Sequence, residues 1–514
     1  MMKNRITLLM LCCCFLLQTH AWQPDPTRHH RLLITHIWIA DGSGGKAYTG
    51  SVRIRGNKIT EVGNLKPQKD EEVIDGGGLL LAPGFIDTHS HHLGHMAEYP
   101  DCPATSNQGI TTIVVGQDGN SHPPDTIRAM LKRKPAAVNV ATYTGQTTLR
   151  ENVMGENDLL RKATAAEVDA MKKILRREME RGSLGLSTGL EYEEAFYSSE
   201  DEVLQLASVA AKAGGRYISH IRSEDVTLDE AIGEIIHIGR VNHMPVQISH
   251  IKVSMKSKWG RSADILRRLD SARRAGIDIT ADVYPYNFWN STLRVLFPGR
   301  NYEDPEAAEF AVNELFDAGS SVLVLYAPEP SYAGKTIGEI AALRKEKSSL
   351  SLIWLVAQAS AFQKNNPGYP HGIEAIAARS MEDRDVANFI AWPHANICSD
   401  GNAGGHPRGY GAFTRVLAKY VREEKRLTLE AAIHKMTALS AAHVGIARRG
   451  RIAPGYYADL VLLNPLTVKD HAGLGNSHAL SSGIERVWIN GQLTYHNQQA
   501  TGKRPGVFIG RNEK

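Results

Sequence analysis

The sequence predicts an α/β fold: a closed parallel (β/α)8 barrel of the TIM type, with a small β-sandwich domain built from both chain ends. Three observations predict it. Apolar strand-like segments alternate with helical patterns through the middle of the chain. Histidines and carboxylates recur where those strands end, as catalytic residues do at one face of such a barrel. Strand-and-turn patterns occupy both ends of the chain.

Length and composition are those of a globular protein with more than one domain. The chain has 514 residues, of which 42% are hydrophobic and 22% charged. Its net charge of +4 falls to +2 without Lys3 and Arg5, so we expect no nucleic-acid partner. No segment after residue 21 approaches about twenty consecutive apolar residues, so we expect no membrane span. Composition gives no indication of the oligomeric state.

Residues 1–21 have the pattern of an export signal. Lys3 and Arg5 form a charged start, residues 8–17 an apolar middle, and Thr19-His20-Ala21 a small-residue cleavage site. Without this segment only Cys102 and Cys398 remain, which is too few for a disulfide framework. We therefore expect an exported protein, periplasmic or secreted, that is stabilised by its core.

The small domain is assigned to residues 22–83 and 450–514. Gly56-Asn57 lies between two alternating runs, which is a hairpin signal. Residues 455–463 and 487–492 repeat the strand, turn, strand pattern at the other end. The two ends are predicted to form one β-domain that closes around the middle of the chain.

The barrel is assigned to residues 84–449 and contains eight strand candidates. These are 85–89, 111–115, 138–143, 184–188, 217–220, 246–250, 277–283 and 396–399. Helical patterns follow several of them, at 165–181, 202–213, 227–241 and 262–275. Residues from about 288 to 384 break this alternation and are too long for one crossover. We interpret them as an insertion that forms a lid or a wall of the substrate pocket.

Metal-ligating residue types gather at the predicted strand ends. His89 and His91 are two apart, so on a strand they share a face and can hold one ion. Later strand ends supply further candidates, namely Asp118, Glu191, His220, His250 and Asp400. Imidazole together with carboxylate suits zinc or a similar divalent ion.

These residues lie in motifs that resemble the amidohydrolase superfamily and, within it, the N-acyl-D-amino-acid deacylases (D-aminoacylases). The motifs are Pro83-Gly84-Phe85-Ile86-Asp87-Thr88-His89-Ser90-His91, Gly109-Ile110-Thr111-Thr112, Gly185-Leu186-Ser187-Thr188-Gly189-Leu190-Glu191-Tyr192, Ser219-His220-Ile221-Arg222-Ser223-Glu224, Ile248-Ser249-His250-Ile251-Lys252, Ser399-Asp400-Gly401 and His406-Pro407-Arg408-Gly409-Tyr410-Gly411-Ala412-Phe413-Thr414-Arg415-Val416. The resemblance spans residues 32 to about 506 and implies a barrel, a metal centre and amide hydrolysis.

The resemblance also implies roles for individual residues. His220 and His250 match the main zinc ligands, and His89 and His91 match a pair serving a second, often weaker, metal position. Asp400 matches the catalytic acid of the eighth strand, which shuttles the proton. One or two zinc ions are therefore expected.

One position departs from the family pattern. D-aminoacylases usually show Asn-Cys after the second strand, with the cysteine on zinc, whereas this chain has Gly116-Gln117-Asp118-Gly119. Either Glu191, as a bridge between two metals, or Asp118 itself could replace the thiolate. We prefer Glu191, which completes a predicted metal set with His89, His91, His220 and His250.

The predicted substrate is an N-acyl-D-amino acid or a related D-residue peptide, deacylated by metal-activated water. Its free carboxylate requires a cation, for which Arg408 and Lys252 are the first candidates. Arg222 follows them, and Tyr192 is a further candidate to bind the substrate. Two alternatives remain. One is a dipeptidase or cyclic-amide hydrolase using the same centre, and the other is a non-catalytic binding protein on the same frame.

Overall fold

The computed structural model describes residues 31–369, 372–402 and 404–511. The predicted export signal lies outside these residues. No described helix combines the length and the apolar character that crossing a membrane requires. Cys102 and Cys398 are both buried and carry free thiols.

Nine strands from the two ends of the chain form one sheet. They are Arg31–Ile39, Tyr48–Arg55, Lys58–Gly63, Glu72–Asp75, Leu80–Pro83, Leu460–Leu463, Ile484–Ile489, Gln492–His496 and Gln499–Ala500. The ends meet where Leu80–Pro83 pairs antiparallel with Leu460–Leu463. Alternate apolar side chains of both ends, with Trp488 among them, share one core. This is the small β-domain that the sequence predicts from both ends.

The middle of the chain forms a barrel of eight parallel strands, the third of which is divided at Tyr143. The strands are Phe85–Asp87, Ile110–Val115, Asn139–Thr142 with Thr144–Gly145, Gly185–Gly189, Arg216–His220, Val246–Ile248, Ile279–Val283 and Ala395–Ile397. The last strand returns to the first through a parallel bridge between Ser90 and Gly401, and the Asp400 backbone N–H donates to His89 O at 2.9 Å. This closure places the residues after the first and eighth strands side by side.

The helices outside the barrel follow the predicted periodicity closely. The four predicted helices are Ala165–Glu180, Glu200–Lys212, Leu228–Asn242 and Ser262–Arg274. Thr164 and Glu167 form a capping box that starts the first of them. The other α-helices around the barrel are Leu93–Glu98, Pro103–Ser106, Pro124–Arg133, Gln146–Met154, Glu193–Phe196, Asp383–Ala391, Arg408–Arg415, Leu429–Met436 and Ala438–Val444.

The predicted insertion is a small α/β unit of its own. Its three antiparallel strands are Phe288–Ser291, Val322–Tyr326 and Glu374–Arg379, and its α-helices are Pro305–Phe310, Ile337–Arg344 and Ser348–Asn365. The first strand and the turn Leu293–Leu296 line a pocket together with barrel residues. The unit therefore forms a wall at the mouth of the barrel.

Candidate active site

Three charged or ionisable residues directly beyond barrel strands have left-handed backbone conformations. Their φ angles are 54° at Asp118, 35° at His250 and 48° at Asp400. Such conformations cost a non-glycine residue on the order of 1 kcal/mol or more, and they concentrate at functional sites. Gly116 precedes one of them at φ 75°, where a Cβ atom would lie 2.3 Å from the Tyr143 carbonyl oxygen. These turns bring the three side chains to one buried point.

The first-strand histidines meet two carboxylates at this point. The Nε2 atoms of His89 and His91 each lie 3.3 Å from Asp118 Oδ2. The same two nitrogens lie 3.5 and 3.2 Å from Asp400 Oδ1. Residues from the first, second and eighth strands therefore converge, as the sequence predicts for His89, His91 and Asp400.

The histidines of the fifth and sixth strands form a second pair beside the first. His220 Nδ1 lies 3.1 Å from His250 Nε2, and that nitrogen lies 3.5 Å from Asp118 Oδ1. Asp118 thus directs one oxygen to the His89/His91 pair and the other toward His250. Its carboxylate has the position of a bridge between the two pairs.

Glu191 has a different position from the one we prefer on sequence grounds. Its Oε2 atom lies 2.7 Å from His220 Nε2, on the side of the ring away from His250, and its Oε1 accepts the Glu224 backbone N–H. Glu224 similarly lies 3.0 Å from His250 Nδ1. A carboxylate on the outer nitrogen of a histidine orients the ring and directs the other nitrogen inward. The structure therefore brings Asp118, the alternative, between the two histidine pairs, whereas Glu191 contacts the outer nitrogen of His220. Which of the two carboxylates binds metal stays a prediction.

The donor set fits a divalent metal ion. Facing atoms of His89, Asp118, His250 and Asp400 all lie within 4.8 Å of one another. Asp118 Oδ1 is buried and accepts no hydrogen bond from any residue that the structure describes, which is costly for a carboxylate oxygen. Imidazole nitrogens and carboxylate oxygens are the ligands that zinc and similar ions take.

The carboxylates of the centre are held in their ionised forms. Burial alone would raise the pKa of Asp400, but Arg408 and the neighbouring histidines hold that pKa well below its usual range. The pKa of Asp118 is likewise held low against burial, by His89 and His250. Conversely, burial lowers the pKa of His91, but Asp118 and Asp400 outweigh it and raise the pKa to about 9. The geometry therefore concentrates negative charge where a cation would bind.

Three of the four predicted substrate-binding residues line the pocket. Arg408 lines the pocket, with Nη1 2.6 Å from Asp400 Oδ2, and Tyr192 lines it with its ring 4.5 Å from that of His220. Lys252 also lines the pocket, but its Nζ lies 2.6 and 2.7 Å from the two Glu224 oxygens. Lys252 thus neutralises the carboxylate that orients His250.

Arg222 is not brought to the pocket. Its guanidinium donates two hydrogen bonds to Glu234, on the helix Leu228–Asn242, at 2.8 and 2.7 Å. It also donates to the Ser198 carbonyl oxygen. The prediction that Arg222 binds substrate is therefore corrected: this side chain ties the fifth-strand loop to a helix.

Sequence reasoning did not single out two further residues of the site. Tyr284 follows the seventh strand, and its ring lies 4.9 Å from the Arg408 guanidinium carbon. Its hydroxyl is buried and has no hydrogen-bond partner within residues 31–369, 372–402 and 404–511. Asp282, on the same strand, accepts the His250 backbone N–H and so helps to fix the strained turn there. Their place at the end of a barrel strand is the signal that could have identified them.

Comparison with known proteins agrees with this geometry. The sequence model of an amidohydrolase family matches residues 72–350 and 395–495. An N-acyl-D-glutamate deacylase of Alcaligenes xylosoxydans xylosoxydans is 33% identical over 508 residues, covering 94% of this chain and 96% of the relative. A D-aminoacylase of the same organism is 31% identical, covering 93% of this chain and 97% of the relative.

A solved structure extends the similarity to three dimensions. The N-acyl-D-glutamate deacylase of Bordetella bronchiseptica, complexed with zinc and a phosphonate mimic of the tetrahedral intermediate, superposes with a TM-score of 0.82 at 31% identity. The match covers 93% of this chain and 99% of that one. The chain therefore belongs to the amidohydrolase family, within its group of N-acyl-D-amino-acid deacylases.

Proposed function

We propose that this protein is a metal-dependent hydrolase that removes the acyl group from N-acyl-D-amino acids or closely related D-residue peptides. The observation that carries the proposal is the Asp118 carboxylate between two histidine pairs, with Asp400 and Arg408 beside it. The family and the activities named for its relatives support the same reaction class.

Two metal positions follow from the side chains. His89, His91 and Asp118 would hold one ion, and His220, His250 and Asp118 the other. We propose zinc, supported by the imidazole and carboxylate donor set and by the zinc bound to the Bordetella relative. When bound, such an ion lowers the pKa of a water molecule and polarises the carbonyl group of the substrate.

Asp400 is placed to move the proton. Its Oδ2 is held by Arg408, which leaves Oδ1 directed at the centre. Because its pKa is held low, Asp400 is ionised and Oδ1 can accept the proton of the attacking water. The same atom then returns the proton to the leaving amine, which departs poorly without it.

The free carboxylate of the substrate is assigned to Arg408, which offers a guanidinium in the pocket. Arg408 lies beside Asp400, so an amino acid anchored there would present its amide nitrogen to the proton carrier. The Tyr284 ring lies 4.9 Å from the Arg408 guanidinium carbon. Lys252 is not assigned to the substrate, because it pairs with Glu224, which in turn contacts His250.

The test is a hydrolysis panel with purified, zinc-loaded protein. N-acetyl-D-amino acids are compared with their L-enantiomers, with L,D-dipeptides and with hydantoins, and we expect the D-acyl compounds to be cleaved fastest. Asp400→Asn should lower kcat by about 100- to 10,000-fold. Faster turnover of dipeptides or cyclic amides would replace the proposed substrate class, and an inactive protein with full metal content would favour the non-catalytic alternative.

We also propose that the protein is exported. The charged start, apolar middle and small-residue end of residues 1–21 support this. Cell fractionation of a tagged full-length chain, with Lys3 and Arg5 both changed to Glu as the matched control, tests it.

A further inference from the structure

Apolar side chains of the insertion form part of the pocket wall. Trp289, Val295, Leu296 and Leu315, all from the insertion, line it together with the site residues. A substrate whose carboxylate is held at Arg408 and whose amide faces Asp400 would direct its side chain toward this wall.

The cations of the pocket are already committed. Among the described residues that line it, Lys252 and Arg408 are the only lysine and arginine. Lys252 is bound by both Glu224 oxygens, and Arg408 pairs with Asp400 and is assigned to the substrate's own carboxylate. A second carboxylate on the substrate would have no cation of its own.

Two arginines of the insertion lie near the lining residues in sequence but are engaged elsewhere. Arg294 pairs with Glu193 at 3.0 Å and donates to Ser360 at 2.9 Å. Arg300 donates to the carbonyl oxygens of Phe297 and Glu191. Neither guanidinium is among the groups that line the pocket.

The pocket also contains a buried carboxylate, Asp225, which would repel a carboxylate on the substrate side chain. Asp225 is 6% exposed and lines the pocket. It accepts a hydrogen bond from Ser223 Oγ at 2.7 Å, and it forms no ion pair with any residue that the structure describes. An acidic substrate side chain would therefore be desolvated beside a like charge.

We infer that this subsite selects D-residues with uncharged, apolar side chains and excludes those with acidic ones. The inference rests on the proposed function and specifies its substrate class. An apolar side chain gains from burial against Trp289, Val295 and Leu315, whereas a carboxylate loses its hydration without gaining a partner. We expect a kcat/KM ratio of about 100 or more in favour of the apolar substrates.

The experiment compares N-acetyl-D-leucine, -methionine and -phenylalanine with N-acetyl-D-glutamate and -aspartate, using the zinc-loaded full-length protein. N-acetyl-D-glutamine separates the effect of charge from that of size, and N-acetyl-D-lysine tests whether Asp225 selects cations. Apolar substrates leading by about 100-fold over the acidic ones support the inference. Equal or faster turnover of the acidic substrates, or a preference for the lysine derivative, overturns it.

A pair of variants at a partly buried position of the wall gives a second readout. Val295→Arg supplies the missing cation, and Val295→Leu is the matched apolar control. The arginine should raise the D-glutamate to D-leucine ratio of kcat/KM by about tenfold or more relative to the leucine variant. An unchanged ratio in two folded, metal-loaded variants contradicts the assignment of this wall to the side chain.

The same panel distinguishes a failure of the side-chain inference from a failure of the proposed deacylase function. Hydrolysis of acidic D-substrates alone leaves the proposed deacylase reaction intact and overturns only the side-chain inference. If no N-acyl-D-amino acid is hydrolysed by protein with full metal content, the proposed function fails and the inference fails with it.

Discussion

Replacing Asp118 with asparagine tests the central claim about the metal site. The change preserves the shape of the side chain and removes its charge from a point 3.3 Å from two imidazole nitrogens and 3.5 Å from a third. A carboxylate about 4 Å from a unit positive charge gains about 4 kcal/mol at an effective dielectric constant of roughly 20. Even half of this corresponds to about a 30-fold change in metal affinity.

The structure predicts a specific pattern of metal loss. Because the two Asp118 oxygens face different histidine pairs, Asp118→Asn should weaken both metal positions. Glu191→Gln is the matched control, since His220 is the one histidine of the two pairs that Glu191 contacts among the described residues, at its outer nitrogen. Loss of such an orienting carboxylate costs about 10- to 100-fold in affinity and should affect the His220/His250 position alone.

The assay is metal content by elemental analysis after dialysis against a graded chelator series, with circular dichroism to confirm folding. Asp118→Cys is the third variant, because a thiolate is also an anionic zinc ligand and should retain metal. The assignment of Asp118 to both metal positions is refuted if Glu191→Gln loses both ions while Asp118→Asn keeps them. It is also refuted if Asp118→Cys binds metal no better than Asp118→Asn.

Two stability predictions concern buried charges away from the centre. Arg150 is fully buried, pairs with Glu202 at 2.7 Å and donates to three carbonyl oxygens. Arg150→Met should therefore lower the free energy of unfolding by about 3–5 kcal/mol, against less than about 1 kcal/mol for Arg267→Met at an exposed pair. Equal midpoints in denaturant would contradict this. Burial lowers the pKa of Lys435 to about 7, below its usual value of 10.5, so the unfolded chain binds the extra proton and stability should rise between pH 7 and 10. That rise should be smaller in Lys435→Met, and parallel pH profiles of the two proteins would show that Lys435 is not its source.

Much of the barrel was predictable because its signals are local. Apolar runs, helical periodicity and capping residues act over a few neighbours, so the eight strand candidates and the four helices correspond to observed elements. His89, His91, His220, His250 and Asp400 were identifiable for a related reason: the carboxyl ends of barrel strands meet at one rim.

The errors at the site concern side-chain direction, which sequence pattern does not encode. Arg222 follows the fifth strand, as expected of a pocket residue, but Glu234 lies within reach on the next helix and pairs with it. Lys252 was correctly placed in the pocket, yet its partner is the nearby Glu224. In both cases a carboxylate from another segment determines what the cation can bind, and that depends on the packed structure.

The choice between Asp118 and Glu191 as the carboxylate between the two histidine pairs also depended on side-chain direction. Sequence pattern alone leaves Asp118 and Glu191 as alternatives. The backbone distinguishes them, because the left-handed turn at Asp118, between Gly116 and Gly119, carries its side chain to the histidines. Glu191 reaches the far side of His220 instead. A carboxylate at position 118 also differs from a thiolate in having two oxygens, so it can face both histidine pairs at once. Under the proposed assignment of Asp118, the departure from the family's cysteine changes the bridging ligand from a thiolate to a carboxylate, and the positions of the surrounding histidines are compatible with two metal sites.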